Sequence, residues 1–340
     1  MSNPMKIYDN FELKSKNSFG ISAKCEQFIE LETVEDILES VQKNWFKEPF
    51  LILGGGSNIL FTQDFFGRVF QPCFYGIREI KSTEKEIFVE IGAAESWDDV
   101  VKYCVDNNYG GAENLSGIPG WAGSSAVQNI GAYGVEIKDI IFKVKGFFIE
   151  NGKPFEFHVN ECHYAYRDSI FKHELKNKAM ITSVIYKLDK RLRFNVSYHS
   201  LVEEFEKNRL EINLKNIRQT ILNIRNSKLP NPEETGNAGS FFKNPVIERK
   251  QAESLKADYP QLVIYPVSEN QVKLAAGQLI DLCGLKGFQI GGAVVHEKQA
   301  LVLVNMNQAT GQDVVQLAQH IQAEVSKKFA VGLESEVIWV

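Results

Sequence analysis

The chain has 340 residues, of which 44% are hydrophobic and 24% charged, and its formal net charge is −5. These proportions exclude large-scale disorder, and the length suffices for two or three domains, each with its own core. The acidic balance excludes a broad nucleic-acid face, which needs a basic surface, but allows a local basic pocket for a small anion.

Thr33 to Asp36 predicts a capping box opening an amphipathic helix to about Val41, with Ile37, Leu38 and Val41 on one side. PFLIL (49–53) predicts a buried strand running into GGGSN (54–58). EIFVEIGA (86–93) predicts a second strand, and Ser96 to Asp99 caps a helix carrying Val100, Tyr103 and Cys104. Between 110 and 134 the chain is rich in glycine and serine and reads as a long loop. IFKVKGFFI (141–149) and MITSVIYKL (180–188) predict further strands.

From about 229 the character changes, with Pro230 and Pro232 at the boundary. A helix around 272–283 and a strand at ALVLVNM (300–306) follow. Asp313 to Phe329 predicts a helix whose Val314, Leu317, Ala318, Ile321 and Val325 stripe is core packing. The terminal LESEVIWV alternates like a strand, which would turn Glu334 and Glu336 to one face. The fold class is α+β.

MSNPMKIYDN lacks an apolar signal core, and no run reaches the length of a membrane span. A cytoplasmic chain without membrane or nucleic-acid partners is expected. Cys25, Cys73, Cys104, Cys162 and Cys283 lie at long, irregular spacings that fit neither a disulfide framework nor a zinc module. His158, Cys162 and His163 match no standard ligand spacing and are read as structural, so no metal is expected.

Three stretches carry chemistry. In ILGGGSNIL (52–60) a strand feeds a glycine cluster, as in a phosphate cradle where backbone N–H groups surround an anion. It is neither a dinucleotide fingerprint nor a P-loop, and a plain tight turn is the alternative. ENLSGIPGWAGSSAVQNIGAYGVE (113–136) interleaves glycines with small and amide residues and holds no lysine or arginine. It suits a wrap around a large planar cofactor bearing a diphosphate, with Ile118 and Pro119 as apolar contact. GNAGSFFKNP (236–245) places small residues ahead of Ser240, with no histidine or carboxylate in the motif to activate it as a nucleophile.

GGGSN with NLSGIPG and GSS-VQNIGAYG resembles the FAD-binding domain of vanillyl-alcohol-oxidase (PCMH) type flavoproteins. YRDSIFK (166–172), GNAGSFFKNP, LKGFQIGGAVVHEKQALVLVN (285–305) and LESEV resemble the UDP-N-acetylenolpyruvoylglucosamine reductase family, in its longer subclass with a tyrosine loop. The likeness runs from about Asn17 to the end. Ala126 departs from it where a proline is common, a difference of loop stiffness.

The resemblance implies a two-lobed FAD-binding region plus a C-terminal substrate-binding domain. The expected parts are 1–70, completed by 331–340, then 71–228, then 229–330. It implies FAD bound by Gly54, Gly55, Gly56, Ser57 and Asn58 in the first loop. In the second it implies Ser116, Gly117, Ile118, Pro119, Gly120, Gly123, Ser124, Gln128, Asn129, Gly131, Ala132, Tyr133 and Gly134. The implied reaction, part of peptidoglycan precursor synthesis, takes hydride from NADPH through FAD to the enolpyruvyl C3 and a proton to C2.

Arg167 would grip the substrate carboxylate bidentately, Ser240 would supply the proton as general acid, and Glu336 would stabilise the enolate. Sequence geometry alone leaves Glu334 open beside Glu336. The sugar nucleotide would contact Tyr166, Tyr198, Lys228, Asn244, Tyr265, Lys286 and Gln299. The expected partner is this small-molecule substrate, and the expected state a monomer. Two alternatives are an oxygen-using flavin oxidase of the same superfamily and a non-catalytic sugar-nucleotide binding protein.

Neither histidine nor cysteine occurs in 52–60 or 110–136, so the flavin is expected to be non-covalent. Acid precipitation should release the yellow chromophore into the supernatant, whereas colour kept by the pellet would refute this.

Overall fold

The structure, a computed structural model, describes residues 4–340. Residues 1–3, where the stretch read as no signal segment begins, lie outside it. Contacts divide the chain into two compact units. One comprises the chain through Phe11, Cys25–Gly56 and Phe66–Ser227; the other comprises Glu12–Lys24, Ser57–Phe65 and Lys228–Val340. The three parts expected from the sequence are 1–70 completed by 331–340, 71–228 and 229–330. The division by contacts falls inside the GGGSN turn, after Gly56.

The first unit carries two sheets. A four-stranded sheet has the order Lys6–Glu12, Lys24–Leu31, Phe65–Pro72, Phe50–Ile52, the last pair parallel. Helix α1 (Val34–Gln42) opens on the predicted box: the Asp36 N–H donates to Thr33 Oγ1 and the Thr33 N–H to Asp36 Oδ2. Ile37 then packs with Ile29, Leu31 and Phe70 in a small core. A five-stranded antiparallel sheet has the order Pro154–His158, Ile141–Phe148, Ala179–Asp189, Glu86–Gly92, Ile77–Ser82. Its three central strands are those the hydrophobic runs predict.

Helix α2 (Trp97–Asp106) begins where expected, but Ser96 at its N-cap makes no side-chain capping bond. The larger departure lies in 110–134, read above as loop. Residues Ala122–Gln128 form helix α3. The small residues that resembled loop composition are what lets this helix lie close to the sheet: a Cβ on Gly123 would meet Ala93 Cβ at 2.8 Å. Two more helices, α4 (His199–Asn208) and α5 (Leu214–Lys228), were not anticipated. Leu201, Phe205, Ile217, Ile221 and Ile224 form their core, with Tyr133 packed against it.

The second unit holds a sheet ordered Gly236–Ser240, Val302–Asn305, Ala293–Val295, Gln289–Ile290 and a small sheet ordered Val246–Glu248, Gln271–Leu274, Ile264–Pro266. Its helices are α6 (Arg249–Asp258), α7 (Ala276–Leu282) and α8 (Gly311–Phe329). Helix α7 is shorter than the sequence predicts, because 271–274 pairs as a strand. The α8 stripe is buried throughout. At the C-terminus only Ile338–Trp339 forms a strand, parallel to Ile59–Leu60. Glu334 and Glu336 flank Ser335, which makes an isolated antiparallel bridge to Phe242.

Gly236 sits where a Cβ would approach the Phe19 carbonyl oxygen to 2.1 Å. Gly236→Ala must displace backbone on one side of the strand that carries Ser240. We expect a loss of about 1–3 kcal/mol, typical of overpacking, measured as a lowered denaturation midpoint.

Candidate active site

Glycine clears two cradles in the first unit. The GGGSN turn packs against the start of α3: a Cβ on Gly55 would meet the Trp121 ring at 3.0 Å, and one on Gly54 would touch Ser124. Gly56 has φ +67°, a left-handed conformation that favours glycine. Gln71 Nε2 donates to the Gly54 carbonyl at 3.1 Å.

In the second loop Gly117 has φ +69° and its amide donates to Asp98 Oδ1 at 2.6 Å. The backbone N–H groups of Gly54, Gly55, Gly56, Ile118 and Gly120 donate to no protein acceptor among the described residues. Bare amides, four of these five on glycine, fit a diphosphate. Those of Ala122 and Gly123 are engaged by the carbonyls of Glu95 and Ala93.

Several predicted cofactor residues shape the loop from within. Ser116 is fully buried, its hydroxyl on the Glu113 carbonyl at 2.6 Å. Ser124 Oγ bonds the Trp121 backbone. Asn129 is also buried, with φ +44° at the end of α3, and its amide donates to the Ala165 carbonyl at 2.7 Å. Gln128 accepts from Lys172 Nζ at 3.2 Å. Tyr133, at φ +49°, stacks edge-on against Tyr198 with ring centroids 5.3 Å apart. Burial pushes the Tyr133 phenol up, although the nearby Arg225 charge opposes this.

Arg167 lies in a tight turn closed by mutual backbone bonds between Ala165 and Asp168. Its own φ is +54°. The guanidinium donates to the Gly131 carbonyl at 2.6 Å and the Asn129 carbonyl at 3.4 Å, and sits 5.3 Å from the Tyr166 ring centroid. It is therefore no surface ion pair with Asp168, which instead bonds His173.

Sequence reasoning missed Arg225. Its Nε donates to the Gly117 carbonyl at 3.0 Å, and its terminal nitrogens have no protein partner among the described residues. Burial lowers its pKa, opposed by the proximity of Tyr133 and Asp98. The signal was present: Arg218 and Arg225 stand seven apart beside Ile217, Ile221 and Ile224, on one stripe of a helix.

In the second unit Ser240 ends its strand at an irregularity between Asn237 and Ser240 in the pairing to Val302–Asn305. Asn237 is buried, accepts from the Gly239 amide at 2.9 Å and donates to the Thr235 carbonyl at 2.8 Å. Gly239 has φ +68°, and a Cβ there would meet nothing within 4 Å. The bulge thus leaves Ser240 exposed with open space before it.

The Glu336 amide donates to the Phe241 carbonyl at 2.9 Å, placing it one residue from Ser240 along the neighbouring chain, and Asn58 Nδ2 donates to the Glu336 carbonyl at 3.0 Å. Glu334 is exposed and paired with Lys243 at 2.5 Å. The two glutamates thus have different surroundings, Glu334 beside Lys243 and the Glu336 backbone beside Phe241 and Asn58.

A cavity of about 230 Å³ in this unit is lined by Tyr265, Lys286 and Gln299 together with Gln278, Asp281 and Lys298. Lys286 pairs with Asp281 at 2.7 Å, whereas Lys298 has no ion-pair partner among the described residues. Asn244 lies outside this lining, its Oδ1 accepting the Ala276 amide that opens α7. Lys228 is exposed at the end of α5.

Bare backbone amides in two glycine-cleared turns of the first unit fit the class of FAD-binding oxidoreductases. Residues 25–157 match the FAD binding domain family, and residues 231–340 match the C-terminal domain family of UDP-N-acetylenolpyruvoylglucosamine reductase. Proteins named UDP-N-acetylenolpyruvoylglucosamine reductase are similar over nearly their whole length. That of Flavobacterium johnsoniae is 44% identical, covering 98% of this chain and 99% of the relative. That of Neisseria meningitidis serogroup B is 45% identical, covering 97% and 96%. The crystal structure of the Thermus caldophilus reductase superposes with a TM-score of 0.69 at 22% identity, over 99% of this chain and 98% of that one, a likeness of fold. The chain belongs to the UDP-N-acetylenolpyruvoylglucosamine reductase family.

Proposed function

We propose that the chain reduces UDP-N-acetylglucosamine enolpyruvate to UDP-N-acetylmuramate with NADPH, in the cytoplasm, for cell-wall precursor synthesis. The near full-length likeness to reductases of that name carries this reading. No described helix is long and apolar enough to cross a membrane. The functional parts are two FAD-binding lobes, 1–70 with 331–340 and 71–228, and a substrate domain, 229–330.

The bare amides of Gly54, Gly55, Gly56, Ile118 and Gly120 would hold FAD, which would supply the hydride for C3. As the C2–C3 double bond becomes single, charge builds on C2 and the attached carboxylate. Arg167 meets it. Gly131, Asn129 and Tyr166 hold the guanidinium plane, so little reorganisation is needed when the charge develops. Ser240 Oγ delivers the proton to C2, and its oxygen regains one from solvent. Glu336, its backbone held by Asn58 and Phe241, would stabilise the enolate. Arg225, half-buried without a carboxylate partner, adds positive potential beside the cofactor loop.

Tyr265, Lys286 and Gln299 in the cavity take the sugar nucleotide, with Tyr198, Lys228, Asn244 and Tyr166 as further contacts. Lys286 exchanges part of its pairing with Asp281 for phosphate oxygens, a smaller gain than a free ammonium would make.

Arg167→Lys keeps charge but loses the planar two-bond grip. Turnover should fall by about 10²–10³, the usual effect of removing one preorganised donor, with FAD still bound. Near-normal turnover would exclude the role.

Ser240→Ala should separate the half-reactions. Bleaching by NADPH needs no proton from the serine and should proceed normally in stopped-flow absorbance. Return of colour with the enolpyruvyl substrate should slow by about 10²–10⁴, the usual worth of a positioned general acid. Equal slowing of both steps would indicate a distorted flavin site instead.

A further inference from the structure

Behind the loop at 116–120 stands an ion pair that the reaction itself does not use. Arg218 Nη1 and Nη2 donate to the two Asp98 oxygens at 2.6 and 2.7 Å. The arginine side chain is only 13% exposed and the aspartate 35%, so the pair is shielded and bidentate, the stronger class of charge-assisted contact. Asp98 Oδ1 also accepts the Gly117 amide at 2.6 Å, while the Gly117 carbonyl accepts from Arg225 Nε at 3.0 Å. One residue is thus gripped on both its peptides, by a carboxylate on one side and a guanidinium on the other.

Both arginines belong to α5. Between them Leu222 lies where a Gly117 Cβ would come to 3.0 Å of its Cδ2. The burial of α5 rests on Ile217, Ile221 and Ile224 and requires neither arginine. Asp98 stands in the first turn of α2, whose N-cap Ser96 makes no side-chain capping bond, yet its carboxylate is directed to the loop and α5. Without that acceptor the Gly117 peptide could rotate about its flexible glycine dihedrals. The Ile118 N–H lies in the following peptide, whose Gly117 carbonyl Arg225 anchors, so loss of the Asp98 contact reaches it through the Gly117 dihedrals.

We propose that Asp98 and Arg218 are positioning residues for the cofactor: they hold the Gly117 peptide in the orientation that presents the Ile118 and Gly120 amides, and so set FAD affinity. This rests on the assignment of 116–120 as a cofactor loop.

The test dilutes the holoenzyme and reads released FAD by its fluorescence for Asp98→Asn, Arg218→Met, Arg218→Lys and Gly117→Ala. Asp98→Asn and Arg218→Met should each weaken FAD binding about tenfold, the usual scale for losing a charged hydrogen-bond partner. Arg218→Lys should recover part of the loss. At saturating FAD the substrate KM should stay within about twofold of the parent, because the pair sits behind the cofactor loop and not in the substrate cavity. The visible circular dichroism of the bound flavin should change in the first two variants. Arg218→Met keeps the Asp98 carboxylate but releases its orientation towards Gly117, and serves if Asp98→Asn does not fold.

Unchanged FAD affinity in Asp98→Asn and Arg218→Met, with FAD lost from Gly117→Ala, would overturn the proposal and leave the loop assignment standing. Unchanged affinity in Gly117→Ala would remove the loop assignment and the proposal together. Loss of affinity in proportion to a lowered melting point of the FAD-free chain, without rescue by Arg218→Lys, would show a purely structural ion pair and overturn it as well.

Discussion

Backbone amides hold an anion only where no side chain intervenes and no internal acceptor has claimed them. That constraint governs the first unit. Gly54, Gly55 and Gly56 and the amides of Ile118 and Gly120 meet it, whereas Ala122 and Gly123, in equally small-residue chain, do not. Glycine carries an entropic cost on folding, and a run of them would be a poor cradle if left loose. Trp121 stands 3.0 Å from where a Gly55 Cβ would be, and α5 closes in behind Gly117 in the same way. Packing supplies the order that the residue type lacks.

Positive charge follows the same logic of local placement on an acidic chain. Arg167 is aligned by two carbonyls and an aromatic ring, with its backbone in the left-handed region. A non-glycine residue there costs about 1–3 kcal/mol and persists only where its surroundings over-determine it. Among the described residues Arg225 contacts a carbonyl and no carboxylate, which leaves its charge available to a ligand. Lys286 is already neutralised by Asp281, while Lys298 on the same cavity is not. A single formal charge for the whole protein conceals all four situations.

Much of the fold was legible because periodicity and capping act locally. The α1 box, the central strands of the five-stranded sheet and the buried face of α8 depend on residues a few positions apart. The failures share a cause. Ala122–Gln128 is helical since its small residues can approach Ala93, a neighbour remote in sequence. Ser96 makes no cap, and the Asp98 carboxylate behind it is taken by Gly117 and Arg218. The last residues alternate in sequence, yet they split between two partners, Ser335 bridging Phe242 and Ile338–Trp339 pairing with Ile59–Leu60.

For the site, sequence by itself determined which residue types were available: glycine runs, an arginine after a tyrosine, a serine among small residues and a glutamate near the end. Those choices are chemical and survive in any arrangement of the chain. The tertiary structure decided which amides are bare, which glutamate lies beside Phe241, and that Asp98, Gly117, Arg218 and Arg225 form one network. The reason is distance. A hydrogen bond at 2.6 Å between residues 120 positions apart exists only once two helices have packed, and no local pattern in the chain encodes it.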